Sequence, residues 1–593
     1  MAASVIEKTL ALATCMRLQL NYAVLSIGAY AGVNDDTKET TAMKHLRRRI
    51  TRTALAVVGV SALMATSACS INTANNSGAS SADGSMLVAA DNGSPTFERN
   101  FNPFSTSKRV TATYMYEPLQ VINTLDGEAT PFLATGYTQP DAKTIIYTIR
   151  SGVTWSDGVD FTPADVAFTF NLIKENPALD NKGMWQHLES LEVDGDTVVF
   201  HLSSEDVPAA SIIDQQLIVP EHIWKDVEDP LTFTNEDPVA TGPYVLDEFT
   251  PNQYTLIKNE SYWQADKVAV EKLILPAANS QLDVVNNGYD WAYAFITDVD
   301  GTWVAADDQH NKYWFPPGGT IALVPNLTKA PYNDVNFRLG LSLALDRDKI
   351  ATDAEQGYVE AAGQSGLLLP NQEAWLSADL PNGGEVAQDT DAALAAFEKA
   401  GYTMDGDQLV DAGGAQVSIN IMTANGYTDW LQGLQTVQSQ LGAIGIDVKL
   451  SQPQPAAYYE SLGIGDFDMA ITGFGGTGSV FQDMNLLLNS EFATPLGTTT
   501  TGNFGRFSSA DTDALLARFK ASTDEDEQKS ITADLEQTVY DQLPVISMFY
   551  GGLWGLYSDA NYTGWPSVED PYAPPNTYNS TPLLILTNLE KVE

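Results

Sequence analysis

The chain has 593 residues, with 31 Lys+Arg against 76 Asp+Glu, for a formal net charge of -45. That balance argues against nucleic acid as a partner, because such binding rests on cations that neutralise phosphates. A hydrophobic content of 44% allows large cores and excludes wholesale disorder, and two cysteines, Cys15 and Cys69, exclude a disulfide scaffold or a Cys-rich metal site.

From Met43 the sequence MKHLRRRITRTALAVVGVSALMATSACS places five basic residues before a short apolar run and then small residues. This is the pattern of a secretory signal over 43–68, too short for a comfortable membrane span. Cys69 follows Thr66-Ser67-Ala68 and resembles the lipidated cysteine of a bacterial lipobox, although Thr66 stands where an aliphatic residue is usual. Residues 1–42 read as an extension upstream of the true initiation codon, and 69–85, rich in Ser, Asn and Gly, as a flexible tether. The expected location is the outer face of the cytoplasmic membrane, lipid-anchored, as on a Gram-positive surface. Eight of the 31 basic and four of the 76 acidic residues precede Cys69, so the remainder holds 23 against 72 and carries -49.

Between about 85 and 330, short β-rich runs alternate with turn signals: TIIYTIR (144–150), DTVVFHL (196–202), and PYVLDEFTPNQYTLIKN (243–259), two strands around Pro-Asn. TPADVAFTFNLIKEN is a helix with Thr162 as N-cap, Pro163 at N1, Asp165 at N3, and Val166, Phe170 and Ile173 on one face. From 334 onward helices dominate. NFRLGLSLALDRDKIATDA is amphipathic, DAALAAFEKAGY ends at Gly401, WLQGLQTVQSQLGAIG stops before the strand IDVKLS, and two acidic helices follow. The tail from 551, rich in Gly, Pro, Tyr and Trp, reads as loops that pack back on an earlier lobe.

Five segments in order then carry a resemblance. They are YEPLQVINTLDGEATPFLATGY (116–137), YTIRSGVTWSDGVDFTPADVAFTF (147–170), ATGPYVLDEF (240–249), LIKNESYW (256–263) and PYNDVNFRLGLSLALDRDKIA (331–351). Together they resemble family 5 extracellular solute-binding proteins of ABC importers. The resemblance implies an α/β, two-lobed periplasmic-binding-protein-like II fold with an extra subdomain in the first lobe. The first lobe would comprise 86–115, 240–325 and 548–593, the inserted subdomain 116–239 and the second lobe 326–547, with hinge crossings at 324–328 and 544–550. It also implies a monomeric receptor, without cofactor or catalysis, that closes on its ligand and docks on a membrane permease. The Trp-Ser-Asp-Gly turn and Thr162–Asp165 are folding devices in this reading.

Peptide receptors of the family resemble one another in a Trp-x-x-Asp-Tyr-x-(Asp/Glu)-Pro segment whose acid meets the peptide amine. Here MAITGFGGTGSVFQDMNLLL (469–488) lacks it, and TGWPSVEDPYAPP (563–575) is similar to an element of the oligosaccharide receptors. A sugar presents C–H faces and a rim of hydroxyls, so its receptor needs aromatic platforms and polar amides or carboxylates. Trp185, Trp430, Trp554 and Phe474 are the expected platforms, and Asn102, Gln482 and Asp483 the polar contacts. Trp155, Trp263 and Trp565 read as core. The expected ligand is an oligosaccharide, with an oligopeptide as the alternative. A hydrolase with paired carboxylates lacks any supporting motif, and His187, His201, His222 and His310 are scattered singly, against a nickel or haem site. An adhesin would want repeats. The acidic residues spread over helix faces read as solvated surface.

Overall fold

A computed structural model describes residues 84–91, 96–277 and 282–592. The expectations for 1–42, the signal at 43–68, Cys69 and the tether up to 83 lie outside the described residues.

Alternation places Ile145, Tyr147, Val198 and Phe200 on one buried face, so TIIYTIR and DTVVFHL pair antiparallel, Thr144 opposite His201. They form the centre of a four-stranded sheet in the order Ala134–Asp141, Thr144–Ile149, Thr197–Leu202, Leu188–Asp194. The helix Pro163–Glu175 lays Val166, Phe170 and Ile173 on this core, with the Phe170 and Phe200 rings 4.7 Å apart. Asp165 fixes its start by accepting the Thr162 N–H at 2.9 Å. In the preceding turn the Gly158 N–H donates to the Trp155 carbonyl at 2.9 Å, and Trp155 is fully buried.

A second, seven-stranded mixed sheet runs Asn311–Trp314, Gly555–Ser558, Trp291–Tyr293, Ser85–Ala89, Lys272–Pro276, Gln253–Lys258, Tyr244–Thr250. Its last two strands are the Pro251-Asn252 hairpin. This sheet and the four-stranded one share one continuous core and make the first lobe. The tail departs from the loop reading. Gly555–Ser558 is an interior strand of this sheet, and Pro582–Leu586 is a helix with Leu583, Ile585 and Leu586 buried.

The second lobe is built on five strands, Asp447–Ser451, Ser418–Met422, Met469–Phe474, Pro317–Pro325, Ile546–Gly552. Helix Thr428–Ala443 connects the parallel pair Ser418–Met422 and Asp447–Ser451. The amphipathic stretch after 334 is two helices, Val335–Leu343 and Arg347–Glu355, because Asp346 caps the second by accepting the Lys349 N–H at 3.0 Å. Buried Arg338 donates to the Leu543 carbonyl at 3.0 Å and to that of Gln542, capping the negative end of helix Glu525–Gln542.

The chain changes sheet at Phe315-Pro316 and again at Leu553-Trp554, not at 324–328 and 544–550. Pro317–Pro325 and Ile546–Gly552 lie wholly in the second sheet because they are hydrogen-bonded to each other and Pro317–Pro325 also to Met469–Phe474. At this crossing Trp554 packs between Phe295 and Phe315, ring centres 4.8 and 4.9 Å away. A Cβ on Gly318 would stand 2.5 Å from the Leu553 side chain, so the two connections run together only without one.

Candidate functional site

Two cavities follow the boundary between the lobes, and a third, within the first lobe, joins them through shared walls. The first, about 420 Å³, sits at the crossing and is lined by Trp314, Phe315, Tyr358 and Tyr550, with Val568 and Pro571 from the carboxyl-terminal loop. It meets the second, about 300 Å³, at Asp126 and Asn371. The second meets a third, about 270 Å³, at Ile122 and Thr124. The result is an elongated groove.

Its middle cavity takes Tyr137, Gln139 and Asp214 from the four-stranded sheet side, and Trp375, Asn371 and Gln528 from the second lobe. Tyr137 is 38% exposed and Trp375 half-buried, with the Lys529 ammonium 5.6 Å from the Trp375 ring centre. Phe519 supports Trp375 from behind, stacked at 6.1 Å. Asp214 is buried, and its Oδ1 has no hydrogen-bond partner. Burial pushes its carboxyl up to about 7, against a lowering hydrogen bond from Tyr147, so near neutral pH it can either accept or donate. Flat apolar faces beside a carboxyl and amides suit a polyhydroxylated ligand.

The lobes touch across this groove. Asn371 donates to the Pro317 carbonyl at 2.9 Å and reaches the Thr124 carbonyl at 3.5 Å. A Cβ on Gly127 would fall 2.5 Å from the Gly478 carbonyl oxygen, so the first-lobe turn meets the second-lobe loop backbone to backbone. Lys520, on helix Ala510–Ala521 of the second lobe, pairs at 2.9 Å with first-lobe Asp206, which also holds His187 Nδ1 at 2.6 Å.

The residues expected from sequence take mostly other places. Asn102 is structural: its amide donates to the Pro230 and Phe233 carbonyls at 2.9 and 2.7 Å, and its Oδ1 accepts the Phe104 N–H. Trp185 donates to the Phe170 carbonyl at 2.9 Å under the Lys174 ammonium and lines none of these cavities. Trp430 is half-buried against second-lobe core, edge-on to Tyr427 at 5.0 Å. Trp554 is the crossing residue, one ring behind the first cavity. Phe474 lines a separate cavity of about 220 Å³ inside the second lobe. Gln482 lines none of the four. Asp483 acts indirectly: it accepts Thr477 Oγ1 and Gln372 Nε2, both at 2.7 Å, and so fixes the loop whose Gly478 and Ser479 wall the groove.

Sequence reasoning missed Tyr137, Asp214, Trp375 and the Trp314–Pro317 corner. The run Tyr-Trp-Phe-Pro-Pro-Gly-Gly, aromatics ending on chain breakers, was the available signal for the last. Nothing local marks Asp214. His187, His201, His222 and His310 each contact a carboxylate, and among the described residues no group of three His, Cys, Asp or Glu is placed to hold a metal ion.

The family model of the bacterial extracellular solute-binding proteins, family 5, matches residues 128–494. The oligopeptide-binding protein AppA of Bacillus subtilis is 24% identical over 428 residues, 68% of this chain and 74% of that one. A periplasmic oligopeptide-binding protein structure from Thermotoga maritima superposes with TM-score 0.80 at 24% identity, over 86% of this chain and 100% of that one. The mannohexaose-bound structure from that organism gives 0.73 at 25% identity, over 86% and 99%.

Proposed function

The chain belongs to the bacterial extracellular solute-binding proteins, family 5, and from that premise we propose that it captures an oligosaccharide between its lobes and delivers it to an ABC permease. The observation that carries the reading is the middle cavity, where Tyr137 and Trp375 face a groove set with Asp214, Gln139 and Gln528. Sugar rings stack on such faces while their hydroxyls exchange hydrogen bonds with the polar groups. The similarity to a mannohexaose-bound protein and the part that the 563–575 loop takes in the first cavity, through Val568 and Pro571, support it further.

The receptor is read as an exported monomer, anchored through Cys69 at the outer face of the cytoplasmic membrane. Capture and release both matter, so an affinity of about -8 kcal/mol, near micromolar or somewhat tighter, is expected. An oligopeptide is the second reading, favoured by one feature: Asp214, a groove carboxyl whose Oδ1 has no hydrogen-bond partner, is an acceptor for a peptide amine. Calorimetry with di- to hexasaccharides beside di- to pentapeptides separates the two. Binding of peptides with no sugar response would sink the primary reading.

A further inference from the structure

The third cavity lies wholly in the first lobe and differs from its neighbours in charge. Lys108 and Lys182 both line it, and among the described residues neither has a carboxylate within ion-pairing distance. Each ammonium meets one backbone carbonyl, Lys108 that of Ser105 at 3.3 Å and Lys182 that of Gln215 at 3.2 Å, leaving donors over. The one carboxylate in the wall, Asp180, is turned away, accepting the Met184 and Trp185 N–H groups at 2.7 and 2.9 Å.

Two cations held together in a chain of net charge -45, with abundant acids elsewhere, repel one another at a cost that a nearby carboxylate would have offset. Lys182 is exposed and lines the cavity. Desolvation and Lys108 push its ammonium down to about 8. Gln120, buried in the same wall, has an Oε1 that accepts no hydrogen bond.

We propose that this cavity is the subsite for one end of the ligand and that the end it takes carries a carboxylate, held by Lys108 and Lys182 while Gln120 accepts a neighbouring O–H or N–H. The inference rests on the groove being the ligand site, because the cavity opens into it at Ile122 and Thr124. A carboxylate of this kind ends an oligosaccharide as a uronic acid, or a peptide as its carboxyl terminus.

The test is titration calorimetry of the full chain with a neutral tetrasaccharide, its counterpart ending in a uronic acid, a tetrapeptide and its carboxyl-terminal amide. In whichever class binds, the acid should bind about ten-fold tighter than its neutral partner. Lys108→Gln and Lys182→Gln should each shrink that preference with the neutral ligand's affinity and the thermal midpoint unchanged. Equal binding of acid and neutral partners, or a preference that survives both substitutions, overturns the subsite. Sugars that bind with no acid preference leave the oligosaccharide reading standing and remove the subsite. Peptides alone binding, with a lysine-dependent preference for the free carboxyl, do the reverse. No binding of any of the four removes both.

Discussion

Replacing Lys520 by Met tests whether the contact across the groove governs ligand affinity. The ammonium lies 2.9 Å from Asp206, with side-chain exposures of 29% and 2%. At an effective dielectric constant near 20, two unit charges at that separation attract by about 6 kcal/mol, most of which desolvation cancels. Exposed pairs contribute about 0.2 to 1 kcal/mol, and breaking fully buried ones costs about 3 to 5. A half-sheltered pair that keeps His187 on Asp206 should therefore cost about 2 kcal/mol. Because its partners sit on different lobes, the loss falls on the closed form alone. On the proposed reading, in which the lobes close on the ligand, the same amount is subtracted from ligand affinity, a factor of about 30 in Kd. Calorimetry of Lys520→Met against wild type, with solution scattering of the free and saturated protein, reads both effects. An affinity within two-fold of wild type, at an unchanged scattering radius, would refute the reasoning.

The remaining predictions concern platforms, acids and a buried cation. Tyr137→Ala and Trp375→Ala should each weaken ligand binding roughly ten-fold through a lost stacking face, whereas Trp185→Ala should lower the thermal midpoint and leave affinity unchanged in the same titration. Glu117, Asp214 and Glu536 are raised to about 7 and Glu355 to about 8, first of all by burial. Acids raised in the folded state bind protons more tightly folded than unfolded. Their stability contribution is full below about pH 4 and is lost as pH rises towards 8. The shift at Glu117, from 4.5 to about 7, corresponds to roughly 3 kcal/mol. Denaturant melts should show greater stability at pH 5 than at pH 8, and Glu117→Gln should narrow the gap; a flat profile would contradict it. Arg338→Met leaves the Leu543, Gln542 and Tyr332 carbonyls without their donor and should destabilise the fold by about 3 kcal/mol in the same melts.

Family and fold class were legible in the sequence because their signals are short-range. The Trp155–Gly158 turn, the Thr162–Asp165 helix start and the alternation in 144–149 and 197–202 each depend on residues a few positions apart, and all took the expected form. The amphipathic stretch after 334 is helical as expected, and its division into two helices is equally local, set by the capping power of Asp346. The tail failed because Gly555–Ser558 has too few residues to read as a strand, and only its neighbours on both sides make it one.

The groove is of another kind. Asp214, Trp375 and Tyr137 come from segments far apart in the chain, as does Lys182 from Lys108 and Gln120. A tryptophan's neighbourhood in sequence does not say whether its ring is roofed, so Trp185 was expected in the cleft and Trp375 was missed. Trp185 donates into a helix carbonyl and lines none of the groove cavities, whereas Trp375 lines the middle one. The sequence determined the charge, the elements and the family, because composition, caps and alternation act within a few residues. Tertiary structure alone decided that one oxygen of Asp214 is left unpartnered and which cations share a cavity, because desolvation and pairing depend on what packing brings together.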